Sequence, residues 1–223
     1  TASRAEPAIR VGGAQRGGRR AYAAIDLGTN NCRLLIARPG YGADAAGNFM
    51  VVDAFSRVVR LGEGLLQTGA LSEAAMDRAV AALRICGDKL RRRDVWLTRN
   101  VATEACRRAS NGAEFVERVF AETGIALDVI SPGEEARLAV LGCQSLIDSE
   151  GPPALVFDIG GGSTELILVT RGARGEAVIQ GWTSVPWGVV SLTETEPHDL
   201  SESQRLLAYE RMRARVSEHL VNF

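Results

Sequence analysis

Lysine is nearly missing from this 223-residue chain: Lys89 stands alone among 26 basic residues, and the rest are arginine. Guanidinium forks suit phosphate oxygens, although a GC-rich genome yields the same bias and is the plainer source of it. Histidine is scarce too. His198 and His219 fall in a polar loop and a polar helical stretch, so they assemble no His/Cys metal cluster and no Ser–His triad. The four cysteines, Cys32, Cys86, Cys106 and Cys143, include no C-x-x-C pair and sit in apolar or helical runs. That pattern points to reduced, partly buried thiols in a cytoplasmic setting. No G-x-x-x-x-G-K-[ST] occurs and Lys89 lies in a helical pattern, which excludes a P-loop NTPase. No apolar run reaches membrane-spanning length and no signal-peptide core is visible, so no membrane partner is expected. A net charge of −1 offers no broad nucleic-acid face, and neither DNA nor RNA is expected as a partner.

What is present suits a packed core. Hydrophobic residues make up 46% of the chain, which rules out wholesale disorder. Residues 1–20, rich in Gly and Arg and without periodicity, read as a disordered tail, with a polyanion-recruiting arm as the other reading. From Tyr22, YAAIDLGTNNCRLLIARPG reads as strand, polar Gly turn and strand, and Phe49 to Val59 alternates as a third strand. Ser72 stands at the entrance of a long helix with Met76, Val80, Leu83 and Leu90 at helical spacing. VWLT is a short strand, and Thr103 and Asn111 are each placed to cap a following helix, Asn111 with Glu114 as a capping-box partner. LDVI leads to Ser131-Pro132-Gly133-Glu134, a helix start with Ser131 as cap, Pro132 at the first position and Glu134 closing the box. That helix is expected to run to about Asp148. After Gly151-Pro152-Pro153 comes a second hairpin, ALVFDIGGGSTELILV, then a strand AVIQGWTSV and a polar helix from about Ser201. Strands, helices and strands again indicate an α/β fold. Aligned without gaps, AIDLGTNNCRLLIA and VFDIGGGSTELILV set Asp26 over Asp158, Gly28 over Gly160 and Asn31 over Ser163. A repeated strand–turn–strand with an acid at each turn implies two related halves facing each other.

The turns carry the chemistry. Gly160, Gly161 and Gly162 let backbone N–H groups approach a phosphate without Cβ interference, and Ser163 and Thr164 add hydroxyls. A tight hairpin needs fewer than three consecutive glycines. Gly28, Thr29, Asn30 and Asn31 form the matching loop. Asp158 and Glu165 add carboxylates beside the phosphate pocket, with Asp26 as their counterpart in the first hairpin. Like charges repel there, and a Mg²⁺ between them resolves the conflict. Arg107 and Arg108 read by composition as a solvated surface pair, while guanidinium geometry also allows one of them to clamp a phosphate. Glu134 and Glu135 are equally well explained as ordinary helix-start acidity or, for Glu135, as a general base pointing into a cleft.

Five segments, AIDLGTNNCRLLIA, ATEACRRASNGAEFVERV, GIALDVISPGEEARLAVLG, LVFDIGGGSTELILV and SVPWGVVSLTE, stand in the order found in the Ppx/GppA family, which the chain resembles from about Tyr22 to Glu194. That family comprises exopolyphosphatases and guanosine pentaphosphate phosphohydrolases on the actin/Hsp70/sugar-kinase superfold. The resemblance implies two ribonuclease-H-like domains, one over residues 21–136 with the first phosphate loop, and over 137–223 a linking helix and the start of the second with the second phosphate loop. It implies release of orthophosphate from polyphosphate or guanosine pentaphosphate, with Mg²⁺ as cofactor and a homodimer as a plausible assembly. Under it Glu135 matches the catalytic carboxylate that activates water, and Arg107 the phosphate-binding arginine. Asp158 and Glu165 match acids associated with Mg²⁺. Gly28 to Asn31 and Gly160 to Thr164 match the two phosphate loops. Pro132 replaces the usual glycine of its loop, and Asn31 stands where serine is common. The family's Gly-Thr-rich loop of the second domain has no counterpart here, so an incomplete second domain is expected. A non-hydrolysing (p)ppGpp-binding module and a phosphotransferase of the same superfold are the rival readings.

Overall fold

The computed structural model describes residues 9–10, 20–40, 49–148, 151–173, 175–197, 199, 201–221 and 223. The strand β1 (Ile9–Arg10) is followed by β2 (Ala21–Leu27), β3 (Asn31–Pro39) and β4 (Phe49–Val58). These join β5 (Val95–Ala102) and β6 (Asp128–Val129) in a six-stranded sheet of order β1-β5-β2-β3-β4, with β6 beside β5. β2 runs antiparallel to β3 and parallel to β5. The tail expected over residues 1–20 lies outside the described residues at 1–8 and 11–19; between these, Ile9–Arg10 pairs antiparallel with β5.

Alternation along β3 buries Cys32, Leu34 and Ile36 on one face. The helix α2 (Glu73–Arg92) covers them with Ala79, Val80, Leu83 and Cys86 at helical spacing. Ser72 caps α2 by accepting from the Ala75 N–H. All four cysteines are free, with the Cys32 and Cys86 sulfurs 4.0 Å apart. The expected cap at Asn111 is absent: its amide exchanges two hydrogen bonds with the Leu71 backbone and ties the entrance of α2 to the start of α4 (Gly112–Thr123). The strand expected over VWLT extends to Ala102, because β5 is a central strand paired with β2 along its whole length.

α5 (Pro132–Cys143) and a 3₁₀ turn at Gln144–Leu146 lead to a second sheet of β7 (Ala154–Ile159), β8 (Thr164–Arg171) and β9 (Ala177–Val185), all antiparallel. Ala136 and Val140 of α5 pack on Ile167 and Val169. The expected division between residues 136 and 137 therefore falls inside a helix that packs as one body on the second sheet. The second sheet holds three strands, with β7 at its edge and Leu155, Phe157 and Ile159 exposed, as in a domain present in part. No described helix is long and apolar enough to cross a membrane.

The repeat extends further than its hairpins. In the first half, β4 is followed by a short helix α1 (Leu65–Thr68) and then the 20-residue α2. In the second, β9 is followed by α6 (Val189–Thr193) and the 19-residue α7 (Glu202–Leu220). Both hairpin turns close alike, Gly28 N–H donating to Asn31 O and Gly160 N–H to Ser163 O, each at 2.9 Å. Each turn is then sealed by the chain leaving the third strand. Gly62 N–H donates to Thr29 O, and the Val190 and Ser191 N–H groups donate to Gly161 O. A glycine is required at each seal. A Cβ on Gly62 would lie 2.3 Å from Thr29 Cγ2, and one on Gly188 would lie 2.5 Å from the Gly160 carbonyl oxygen. Because backbone cannot yield as a side-chain tip can, Gly188→Ala is expected to destabilise the protein by about 1–3 kcal/mol. Gly142→Ala, where a Cβ meets nothing within 4 Å, is expected to add about 0.5 kcal/mol; urea denaturation of the two variants measures the contrast.

Candidate active site

The two glycine turns meet face to face. A Cβ on Gly161 would lie 3.0 Å from Thr29 Cβ and 3.2 Å from the Asn30 nitrogen, and one on Gly162 would lie 2.8 Å from Thr29 Oγ1. None of Gly28, Gly160, Gly161 and Gly162 has a positive φ among the described backbone. Gly161 and Gly162 are therefore favoured by the close approach of the first turn, whereas a Cβ on Gly160 would meet the Ser163 carbonyl of its own hairpin at 3.1 Å. Between the turns lies an open cavity of about 150 Å³. Thr29, Asn30, Gly161 and Gly162 line it, and among the described residues their N–H groups have no hydrogen-bond partner. Unpaired donors converging on one cavity favour an anion.

Of the residues expected to bind phosphate, Gly28, Thr29, Asn30, Asn31, Gly160, Gly161, Gly162 and Ser163 all line this cavity. Thr164 does not. Its hydroxyl donates to the Trp187 carbonyl at 2.8 Å and so fastens β8 to the segment that seals the turn.

Glu135 reaches the cavity from α5. Ser131 caps that helix by accepting from the Glu134 N–H. The Glu134 carboxylate is not held in the cap as expected; it pairs with Arg137 through both oxygens, one turn along the helix. Glu135 lines the cavity with its side chain only 17% exposed. Burial, with Glu165 and Asp158 nearby, pushes its carboxyl up to about 7 despite the opposing pull of Arg107.

Arg107 and Arg108 separate. Arg108 is exposed and lines a small cleft beside α1 and α6. Arg107, at the end of α3 (Glu104–Arg108), turns inward. Its Nη1 donates to the Ile130 carbonyl at 2.6 Å, and its Nη2 donates to Glu104 Oε2 at 2.8 Å and Glu135 Oε2 at 3.2 Å. It stands behind the cavity wall, while Glu104 lies on it. Sequence reasoning missed Glu104, although it sits in the same ATEACRR segment as Arg107.

Asp26 and Asp158 line the cavity from the two hairpins. Burial raises the Asp26 carboxyl; Arg33 opposes the rise and Asp158 adds to it. Glu165 is not on the wall. Directly opposite Asp158 in the strand register, it is 1% exposed, accepts from the Ser184 hydroxyl at 2.8 Å, and is held above the ordinary carboxylate range by burial. Among the described residues no three Asp, Glu, His or Cys side chains converge into a complete metal site. Mg²⁺ does not require one, being held through one or two carboxylates with substrate phosphates and water completing its shell. Asp26 and Asp158, repelling each other on an anion-binding wall, fit that role.

Glu135 carries a charge that folding disfavours. Its pKa is higher folded than unfolded, so the folded state holds the proton more tightly, and stability is lost as the pH rises through about 7. Glu135→Gln is expected to stabilise the protein by up to about 3 kcal/mol at pH 8, with the gain fading toward pH 4.5; thermal denaturation across that range measures it.

The Ppx/GppA phosphatase family profile matches residues 42–223. Among curated proteins, exopolyphosphatase 2 of Mycobacterium tuberculosis is 37% identical over 201 residues, covering 85% of this chain and 61% of that protein. Among solved structures, an exopolyphosphatase from Cytophaga hutchinsonii superposes with a TM-score of 0.75 at 29% identity, over 91% of this chain and 61% of that one. The Aquifex aeolicus Ppx/GppA family member superposes with a TM-score of 0.63 at 33% identity, over 82% and 56%. The chain thus spans about 61% of the length of the curated relatives it matches. With the matching profile, that identity and the twin glycine turns in agreement, this chain belongs to the Ppx/GppA phosphatase family.

Proposed function

We propose that the protein is a phosphohydrolase that releases terminal orthophosphate from inorganic polyphosphate, with guanosine pentaphosphate as a second possible substrate of the same chemistry. One observation carries this reading. Four unpaired backbone N–H groups, from Thr29, Asn30, Gly161 and Gly162, surround a cavity whose wall also holds Glu135.

A terminal phosphoryl group between the turns accepts from those N–H groups, which are already oriented and lose nothing to reorganisation. Arg107, behind the wall, spends part of its guanidinium on Glu135 and so holds and partly neutralises that carboxylate. Glu135, ionised, accepts a proton from a water lying between it and the phosphorus. The water oxygen bonds to phosphorus as the bond to the bridging oxygen breaks, and the electron pair leaves with the shortened chain. A Mg²⁺ held by Asp26 and Asp158 would neutralise charge on the phosphate oxygens. A carboxyl that titrates near neutrality suits this base, because it is ionised at working pH and still basic enough to take the proton.

Phosphate release from polyphosphate by the whole protein is expected to fall about 10²–10⁴-fold in Glu135→Gln. In the unsubstituted protein kcat is expected to drop with acidification below about pH 7, as the base becomes protonated. A steady-state pH–rate profile on long polyphosphate, guanosine pentaphosphate and ATP measures both effects. Tight guanosine polyphosphate binding with no phosphate release would identify a binding module instead, and undiminished activity in Glu135→Gln would remove Glu135 from the mechanism.

A further inference from the structure

The two glycine turns are also joined from behind. α1 follows shortly on Gly62, which seals the first turn, and α6 carries the Val190 and Ser191 N–H groups that seal the second. These two short helices meet. The Gly64 N–H donates to Glu194 Oε1 at 2.9 Å, and Gln67 Nε2 donates to the Glu194 carbonyl at 3.3 Å. One residue at the end of α6 thus grips α1 with both its carboxylate and its backbone, across 130 positions of sequence. The contact borders a small cleft lined by Thr29, Glu104, Gly162 and Glu194 among others. Thr29, Glu104 and Gly162 also line the cavity, so the grip lies just across the turn contact from the phosphoryl site.

The internal repeat shows that stopping the helix does not call for Glu194. α1 ends at Gly69, in the left-handed conformation at φ 70°, with its N–H returned to the Leu65 carbonyl. At the corresponding place α6 ends at Glu194, in right-handed helical backbone, with its N–H bonded to the Leu192 and Val190 carbonyls. Either ending stops a helix of this length through the backbone alone. The Glu194 side chain is left for what it touches, and it touches the other half. It is half-buried, and a carboxylate that accepts a backbone N–H makes a charge-assisted bond, stronger than a neutral one. The chain passes between the halves where β6 leads into α5, and Arg107 fastens that crossing through the Ile130 carbonyl and Glu135. Glu194 makes a second fastening, distant in sequence from the crossing.

Resting on the phosphohydrolase reading, we infer that Glu194 is a positioning residue: it clasps α6 to α1 and so holds the two turns at the spacing at which their four N–H groups share one phosphoryl group. It touches no substrate. Its effect runs through the fraction of molecules whose turns are apposed. A ligand held by both turns finds its site only in that fraction, and its apparent Kd rises by the reciprocal of the fraction. That factor is the same for every ligand that fills both turns, whatever its length. At saturating substrate the ligand itself keeps the turns apposed, so kcat changes little.

The test uses the whole protein and three substitutions, Glu194→Ala, Glu194→Gln and Gln67→Ala, with circular dichroism to establish that each variant folds. Steady-state kinetics are run on tripolyphosphate and on a long polyphosphate. Equilibrium binding of inorganic phosphate, tripolyphosphate and long polyphosphate is measured in a Glu135→Gln background. Glu194→Ala is expected to raise KM, and to weaken binding of all three anions, by one common factor of about ten, with kcat within about twofold. Glu194→Gln keeps an acceptor oxygen without the charge, and is expected to recover to within about threefold of the unsubstituted protein. Gln67→Ala, on the exposed face of α1, is expected to cost about threefold and decides the matter should Glu194→Ala fail to fold. Unchanged KM and binding overturn the inference, as does a factor that differs between inorganic phosphate and long polyphosphate, or a loss confined to kcat. Should the protein hydrolyse neither polyphosphate, the phosphohydrolase reading fails and binding alone decides: a common weakening of all three anions sustains the clasp, and equal binding rejects it.

Discussion

Everything at the site depends on how closely the two glycine turns approach. Gly161 and Gly162 press so closely against the first turn that a Cβ would lie 3.0 Å from Thr29 Cβ on Gly161 and 2.8 Å from Thr29 Oγ1 on Gly162. That contact brings two separately folded hairpins, each with two unpaired N–H groups, to the wall of one cavity. Moving the turns apart by the width of a methyl group would leave two ordinary hairpins, each with two unpaired donors and neither able to surround an anion. The seals behind the turns, at Gly62 and Gly188, serve the same end by holding each turn rigid from its far side.

Charge is arranged against stability. Glu165 is buried and Glu135 half-buried near it and near Asp158, and both carboxyls are held above their ordinary values. A structure selected for stability alone would replace such acids with apolar groups. Arg107 relieves part of the cost by bridging Glu104 and Glu135, but the cavity face remains acidic among the residues that line it. Arg33 is the one cationic side chain among the residues that line this acidic wall.

The two halves share a plan and differ in detail, and the differences are where chemistry resides. Both carry a hairpin, a third strand, a short helix and a long helix in the same order. In the first half α2 buries a continuous stripe against its sheet, whereas α7 buries only Ala208. α5, which enters between the halves, packs on the second sheet and aims Glu135 at the cavity from its first turn. The acid thus comes from outside both hairpins, and the repeat by itself does not point to it.

Read as a linear chain, the protein already declares its hairpins, its long helices, the capped start of α5 and the kinship of its two glycine turns. Each of these follows from local rules: side-chain alternation in strands, apolar spacing in helices, and capping by Ser72 and Ser131. The sequence also brought Glu135, Arg107, Asp26 and Asp158 forward as a set. Only the family resemblance separated Arg107 from Arg108; local pattern did not, because the direction of a side chain at the end of a five-residue helix depends on which partner waits there. The sequence set Thr164 among the phosphate ligands and Asn111 among the helix caps, and tertiary partners at Trp187 and Leu71 claimed both side chains instead. It also put Glu165 beside the ligand, while β8 turns it under α5. Hydrogen-bond partners distant in sequence compete with local ones, and only the packed structure decides which of them wins.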